Sequence, residues 1–290
     1  ERLEAEPFLP ALWLRHQSRD AYWKQGSVIE EYSALKAKVL AIGGWGDSYK
    51  NAVPQLVEAL PGAKGIVGPW VHKSPHFAIP EPRIGFLQEA LRWWDRWLKG
   101  IDTGVEDDPD YRAYLMDGMR PSTWTHERPG RWITEPTGAT SHLPVKTLHL
   151  TDEGLQDTAA PLDRSVASPA HCGADGGEYC AIWLGPEMPG DQRQDDALSV
   201  CFDSGPLAQQ MDILGAPRLR LRLACDKPQG QIAVRLNHIH PDGASARITY
   251  GVLNLSHRDS AENPQAMAPG AMTDITLDLD HIAYRIPKGH

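Results

Sequence analysis

At 290 residues with 41% apolar side chains, the chain is long enough to bury two medium cores, and two domains are the better expectation. Its 29 Lys and Arg against 38 Asp and Glu give a net charge of −9, with no basic run or basic-aromatic stripe, which argues against a nucleic-acid partner. Every apolar run is broken by charge, Gly or Pro well short of the roughly 18 residues that span a bilayer, so a soluble chain with no membrane partner is expected.

Residues 1 to about 35 carry Leu9, Leu12, Trp13, Tyr22 and Trp23 in an interrupted helical pattern, which suggests helical lid material rather than sheet. The run from Lys38 to Gly44 then reads as a strand, Ala52 to Leu60 as a helix and Gly65 to Gly68 as a second strand. Such short connections favour a parallel βαβ unit. After a Pro-rich loop, Arg83 to Lys99 sets Ile84, Leu87, Leu91, Trp94 and Leu98 on one face of a helix that Gly100 should end. Its tryptophans, at helical spacing, are better read as core or domain interface than as a ligand platform. From about residue 110 the texture changes to short alternating runs: YRAYLMDG, KTLHL, ALSVCF, RLRLRLAC, QIAVRLNHI, ARITYGVLNL and TDITLDL. Turn residues between them point to an antiparallel sandwich, with the boundary of the α/β portion between 110 and 145.

Chemistry is concentrated at the ends of the first two strands. Asp47, in GGWGDSY, and His72, in GPWVH, each sit just past the C-terminal end of a predicted parallel strand, where open α/β sheets gather functional groups. Neighbouring strands lie roughly 4.8 Å apart, so their loops can meet. An Asp that accepts from one imidazole nitrogen fixes the tautomer and leaves the other nitrogen to take a hydroxyl proton, which is the rear half of a nucleophilic triad. The alternative is that Asp47 caps a helix or closes a turn, and that His72 is a hydrogen-bonded turn residue. Asp47 before His72 follows the α/β-hydrolase order of nucleophile, acid, base, but the G-x-S-x-G elbow that should precede them is missing. Ser18, Ser27 and Ser33 lack the flanking glycines, and Ser48 adjoins the acid.

Other signals are weaker. Cys172, Cys180, Cys201 and Cys225 are not spaced as a zinc site; a Cys172–Cys180 bridge is conceivable in an oxidising compartment, with free thiols the favoured state. His238 and His240 should face one way from a strand, but HPDG around Asp242 reads chiefly as a turn, and no metal is expected there. His76 and Asp95 read as solvated or structural. Glu1 opens the chain without Met or signal peptide, and HIAYRIPKGH stops where a strand should continue; both ends read as cut, leaving localisation and oligomeric state, homo-oligomers included, open.

GGWGDSY, GPWVH, the Trp-rich RWWDRWLKGIDTG, RQDDALSVCFDSGPL and VRLNHIHPDGASARITYGVLNLSHR, in this order and preceded by DAYWKQGSV, resemble the CocE/NonD group of acyl hydrolases, which includes cocaine esterase and the S15-like Xaa-Pro dipeptidyl-peptidases. The resemblance covers most of the chain. It implies an α/β plus all-β fold: residues 1–35 the end of a helical cap, 36–118 the C-terminal part of an α/β-hydrolase domain, and 119–290 an incomplete jelly-roll (galactose-binding-like) β-sandwich. It also implies that Asp47 is the triad acid and His72 the base, that no cofactor or metal is used, and that the substrate is a small ester, amide or Xaa-Pro peptide attacked by a Ser on upstream sequence. The chain alone should then be inactive and should expose surface that is normally covered. Two other readings stay open: a non-catalytic β-sandwich binding module, and one chain of a two-chain hydrolase.

Overall fold

A computed structural model describes residues 2–182 and 184–290. In chain order the helices are α1 (Arg2–Ala5), α2 (Leu9–Arg15), α3 (Ala21–Lys24), α4 (Ala52–Ala59), α5 (Phe86–Lys99) and α6 (Arg193–Asp196). The strands are β1 (Leu40–Gly44), β2 (Lys64–Gly68), β3 (Tyr111–Asp117), β4 (Gly130–Glu135), β5 (His149–Thr151), β6 (Gly154–Gln156), β7 (Met211–Gly215), β8 (Arg218–Leu223), β9 (Gln231–Ile239), β10 (Ser245–Asn254), β11 (Thr273–Asp278) and β12 (Ile282–Ile286). None of these helices is long and apolar enough to cross a membrane.

The chain divides into two units. The first comprises residues 1–37, 217–234 and 251–279. Its sheet is the antiparallel pair β8 and β11, where RLRLRL lays Leu219, Leu221 and Leu223 opposite Leu277, Ile275 and Thr273. Alternation at period 2 puts these on one face, and Leu221 and Leu223 pack with Ile275, Leu255 and Met267. The helical segment 1–37 is tied in by Arg19 N–H donating to the Ala261 carbonyl and by a Lys24–Glu262 ion pair.

The second unit comprises residues 38–216, 235–250 and 280–290 and is built on a six-stranded mixed sheet. β1 and β2 are parallel, with α4 between them in the chain. β3 pairs along Tyr111–Ala113 with β2 and along Met116–Asp117 with β12, both parallel, while β4 runs antiparallel to β3 and β7 to β12. One sheet therefore joins strands from the α/β portion to strands from the β-rich portion. Its core gathers Trp45, Val53, Val57, Val67, Tyr111, Tyr114, Leu115, Ile282 and Tyr284. β9 and β10 pair with each other, as do β5 and β6.

One expectation needs correction, and one predicted helix presents its apolar face to the outside. ALSVCF forms no strand: Arg235 donates to Ser199 Oγ and pairs with Asp196, and Ser199 Oγ donates to the Asp195 carbonyl, so side chains rather than a ladder hold the segment. Helix α5 ends at Gly100, at φ 73°, as its spacing predicts, and the apolar residues that share one face are exposed among the described residues. Leu87, Leu91, Trp94 and Leu98 are each more than half exposed, whereas Trp93 on another face is buried. Periodicity shows which residues share a face; it does not show that the surface meant to cover them lies within the same chain.

Candidate active site

β1 ends in Gly43-Gly44 and β2 in Gly68, and the loops that follow are laced together by backbone bonds. Trp45 N–H donates to the Gly68 carbonyl and Gly46 N–H to the Trp70 carbonyl, both at 2.9 Å. The approach leaves no room for a side chain at Gly44, where a Cβ would lie 2.2 Å from the Trp70 carbonyl oxygen. Both motif tryptophans are anchors: Trp45 Nε1–H donates to the Tyr114 carbonyl and Trp70 Nε1–H to the Pro82 carbonyl. Their indoles are buried, which fixes where the loops leave the sheet.

This lacing brings Asp47 and His72 together. His72 Nδ1 lies 2.8 Å from Asp47 Oδ2; the carboxylate side chain is 13% exposed and the imidazole 50%. Asp47 Oδ1 accepts the Tyr49 N–H at 2.9 Å, so the same carboxylate closes the turn and faces the histidine. With Asp47 ionised, His72 Nδ1–H donates to it, and Nε2 is left on the open side as an acceptor. Such a ring can take a proton from a hydroxyl, and the carboxylate stabilises the imidazolium that results.

A third strand of chain runs beside the pair. His72 N–H donates to the Ala181 carbonyl at 2.8 Å, which places Cys180 so that its Sγ, a carboxylate oxygen of Asp47 and a ring nitrogen of His72 all lie within 4.8 Å of one another. Nothing local in the sequence signals this neighbour, because more than a hundred residues separate Cys180 from the two loops. All four cysteines are free thiols. Cys172 Sγ is directed instead at the Asp195 carbonyl and Ser199 Oγ, at 3.6 and 3.5 Å.

The remaining sequence candidates fall elsewhere. His76 stacks on Phe86, and Asp95 pairs with Lys99 at 2.6 Å. His238 and His240 do face one way, stacked with centroids 4.1 Å apart, but Asp242 turns outward to Arg120 at 2.5 Å. His290 takes its place, with Nδ1 2.7 Å from His238 Nε2. Burial, then the neighbouring His240, His290 and Arg128, push His238 down to about 4.

Residues 103–290, more than half of the chain, match the family profile of the X-Pro dipeptidyl-peptidase C-terminal non-catalytic domain, and residues 1–74 match that of the X-Pro dipeptidyl-peptidase S15 family. The chain belongs to the CocE/NonD hydrolase family, of S15 type. Relatives include cocaine esterase from Rhodococcus sp. (strain MB1 Bresler), 23% identical over 95% of this chain and 51% of that protein. Another is the Xaa-Pro dipeptidyl-peptidase of Lacticaseibacillus rhamnosus, 21% identical over 93% of this chain and 37% of that protein. This CocE/NonD chain thus spans about half the length, or less, of the curated relatives it matches. Among solved structures, an α-amino acid ester hydrolase superposes with a TM-score of 0.73 at 16% identity, covering 100% of this chain and 52% of that one. A CocE/NonD family hydrolase from Staphylococcus aureus gives 0.65 at 14% identity, over 98% and 50%. At these identities the likeness is one of fold.

Proposed function

We propose that Asp47 and His72 are the acid and base of a serine hydrolase that cleaves ester, amide or Xaa-Pro peptide bonds through an acyl-enzyme. The observation that carries this reading is the 2.8 Å contact of His72 Nδ1 with Asp47 Oδ2 beneath a half-exposed ring. His72 Nε2 takes the proton as a serine Oγ attacks the acyl carbon, then returns it to the leaving group; water repeats the cycle to release the acid. The serine comes from outside residues 1–290, in the part of the relatives that this chain does not span. The exposed stripe of α5 supports this division, because an apolar face of that size normally packs against other protein.

Within this reading residues 1–35 are the end of a helical cap, 36–118 the last part of the hydrolase domain and 119–290 a jelly-roll that plays no chemical part. Asp47 and His72 both lie outside the segment matched to a non-catalytic domain, which favours the hydrolase over a pure binding module. The Cys180 thiol, close to the pair, is a competing nucleophile among the described residues.

Hydrolysis of p-nitrophenyl acetate or butyrate tests the assignment, comparing residues 1–290 with a form extended upstream through a G-x-S-x-G elbow. The expected result is turnover only in the extended form, abolished by His72→Ala and retained by Cys180→Ser. Turnover by residues 1–290 that Cys180→Ser removes would replace the serine with the cysteine. Turnover of the extended form that survives His72→Ala would overturn the reading.

A further inference from the structure

A second histidine constellation, chemically independent of the Asp47–His72 pair, is assembled from β9, the turn after it and the end of the described chain. His238 and His240 alternate with Ile239, so strand geometry alone sends both rings to one face. Both rings are buried, at 1% and 8% exposure, and His290 joins them half-buried. Backbone pairing holds His290 in place: Leu207 N–H donates to its carbonyl oxygen and Gly289 N–H to the Leu207 carbonyl. One nitrogen of each of the three rings lies within 4.8 Å of the other two.

We propose that His238, His240 and His290 form a binding site for a single divalent transition-metal ion of the zinc, cobalt, nickel or copper class. Three neutral imidazoles and no carboxylate are a donor set for these borderline ions and a poor one for Mg²⁺ or Ca²⁺. Asp242, the nearby carboxylate in the sequence, is committed to Arg120.

The outer contacts argue for the site more strongly than the cluster does. A ligating histidine normally donates its other ring N–H to a carbonyl or similar acceptor, which sets tautomer and orientation. His240 Nε2 lies 3.1 Å from the Met119 carbonyl, a pure acceptor, so the proton is on Nε2 and the lone pair is on Nδ1. His238 Nδ1 lies 3.0 Å from the Tyr284 hydroxyl. With the Nδ1 proton donated to that oxygen, Nε2 presents its lone pair to His290. The position that holds the His238 ring is made by Gly118: a Cβ there would lie 2.6 Å from His238 Cε1 and 2.9 Å from Nδ1.

His238 Nε2 and His290 Nδ1 share one proton across 2.7 Å. A metal at Zn–N distances of about 2.0–2.1 Å spaces tetrahedral ligands by roughly 3.3 Å, so the two rings must part by about 0.6 Å. His290, the least buried of the three, is the one with room to do so. The shared proton moves to the far nitrogen of the imidazole that carried it, so binding changes tautomers and releases no proton. A fourth position is left for water.

The test is titration of the chelator-stripped full chain with Zn²⁺ by calorimetry and with Co²⁺ by visible absorption. One equivalent should bind, the cobalt spectrum should show tetrahedral d–d bands without thiolate charge transfer, and Zn²⁺ should raise the melting temperature. His240→Ala and His290→Gln should each weaken binding at least tenfold, and Cys180→Ser should leave it unchanged. His290→Gln, at the least buried ligand, keeps the test open if His240→Ala does not fold. Wild-type chain that binds no equivalent, or binding that Cys180→Ser abolishes and His290→Gln preserves, would overturn the site.

Discussion

The same unit contains two histidine arrangements built to opposite ends. Past the end of β2, His72 has one hydrogen-bonded side-chain partner among the described residues, through Nδ1, and stands half in solvent. At the other cluster His238 is enclosed, with partners at both nitrogens in Tyr284 and His290. A ring that must accept and return a proton needs an open nitrogen and a fixed partner behind it; a ring that positions a ligand needs every other direction closed. Residue type is identical in the two places, and enclosure decides which chemistry each can support.

The largest expected effects lie in the open arrangement. In the extended, active form His72→Ala should lower kcat by about 10⁴-fold or more, with Asp47→Asn costing on the order of 10³–10⁴ through loss of the tautomer. Steady-state kinetics on p-nitrophenyl esters measures both. An Asp47→Asn enzyme within threefold of wild type would mean that the carboxylate only closes its turn to Tyr49. Next comes Gly44→Ala, which touches neither reacting group. The added methyl has no space against the Trp70 carbonyl, so the two loops must separate, and about 10²-fold in kcat should go with a displacement of the order of 1 Å. A folded Gly44→Ala protein with full activity would show that the lacing does not set the Asp47–His72 distance.

A smaller effect separates the chain from the longer proteins it resembles. Leu91→Ser and Leu98→Ser in residues 1–290 should change stability by less than about 0.5 kcal/mol, as exposed positions do. In the extended form each should cost roughly 1.5–3 kcal/mol if the α5 stripe is covered there. Urea denaturation of both forms checks this, and equal effects in the two would mean that the added sequence packs elsewhere.

How much of this was legible follows from sequence distance. The meeting of Asp47 and His72 is legible in GGWGD and GPWVH because each places its side chain within five positions of a strand end, and parallel pairing then puts neighbouring loops together. His238 and His240 were legible as a pair for the same reason. His290 and Cys180 were not, since each reaches its cluster through a return of the chain that no local pattern announces. The α5 stripe is legible as a face, and its tryptophans as core or domain interface, but which of the two each one joins is not, because burial depends on a covering surface and not on periodicity. ALSVCF has the alternation of a strand, but Ser199 within it is held by Arg235 and by the backbone carbonyls of Asp195 and Asp196 instead of a ladder.

The smallest effect concerns the scaffold behind the open site. Glu58, in α4, accepts from the N–H groups of Ala139, Thr140 and Ser141 and from Ser141 Oγ. Desolvation raises its pKa, but these four donors outweigh that and hold the carboxyl at about 2. A folded value below the unfolded one, near 4.3, means that folding favours the ionised form. The stabilisation is therefore complete above about pH 4.5 and lost progressively as pH falls toward 2. Because the residue is exposed, solvent screening leaves about 1 kcal/mol of it. Glu58→Gln should lower the melting temperature by a few degrees at pH 7 and by less at pH 3, where the wild-type carboxyl begins to lose the same advantage. Thermal unfolding at the two pH values measures the difference. A gap between wild type and variant that did not narrow at acid pH would mean that Glu58 acts through its shape and hydrogen-bond count rather than through its charge.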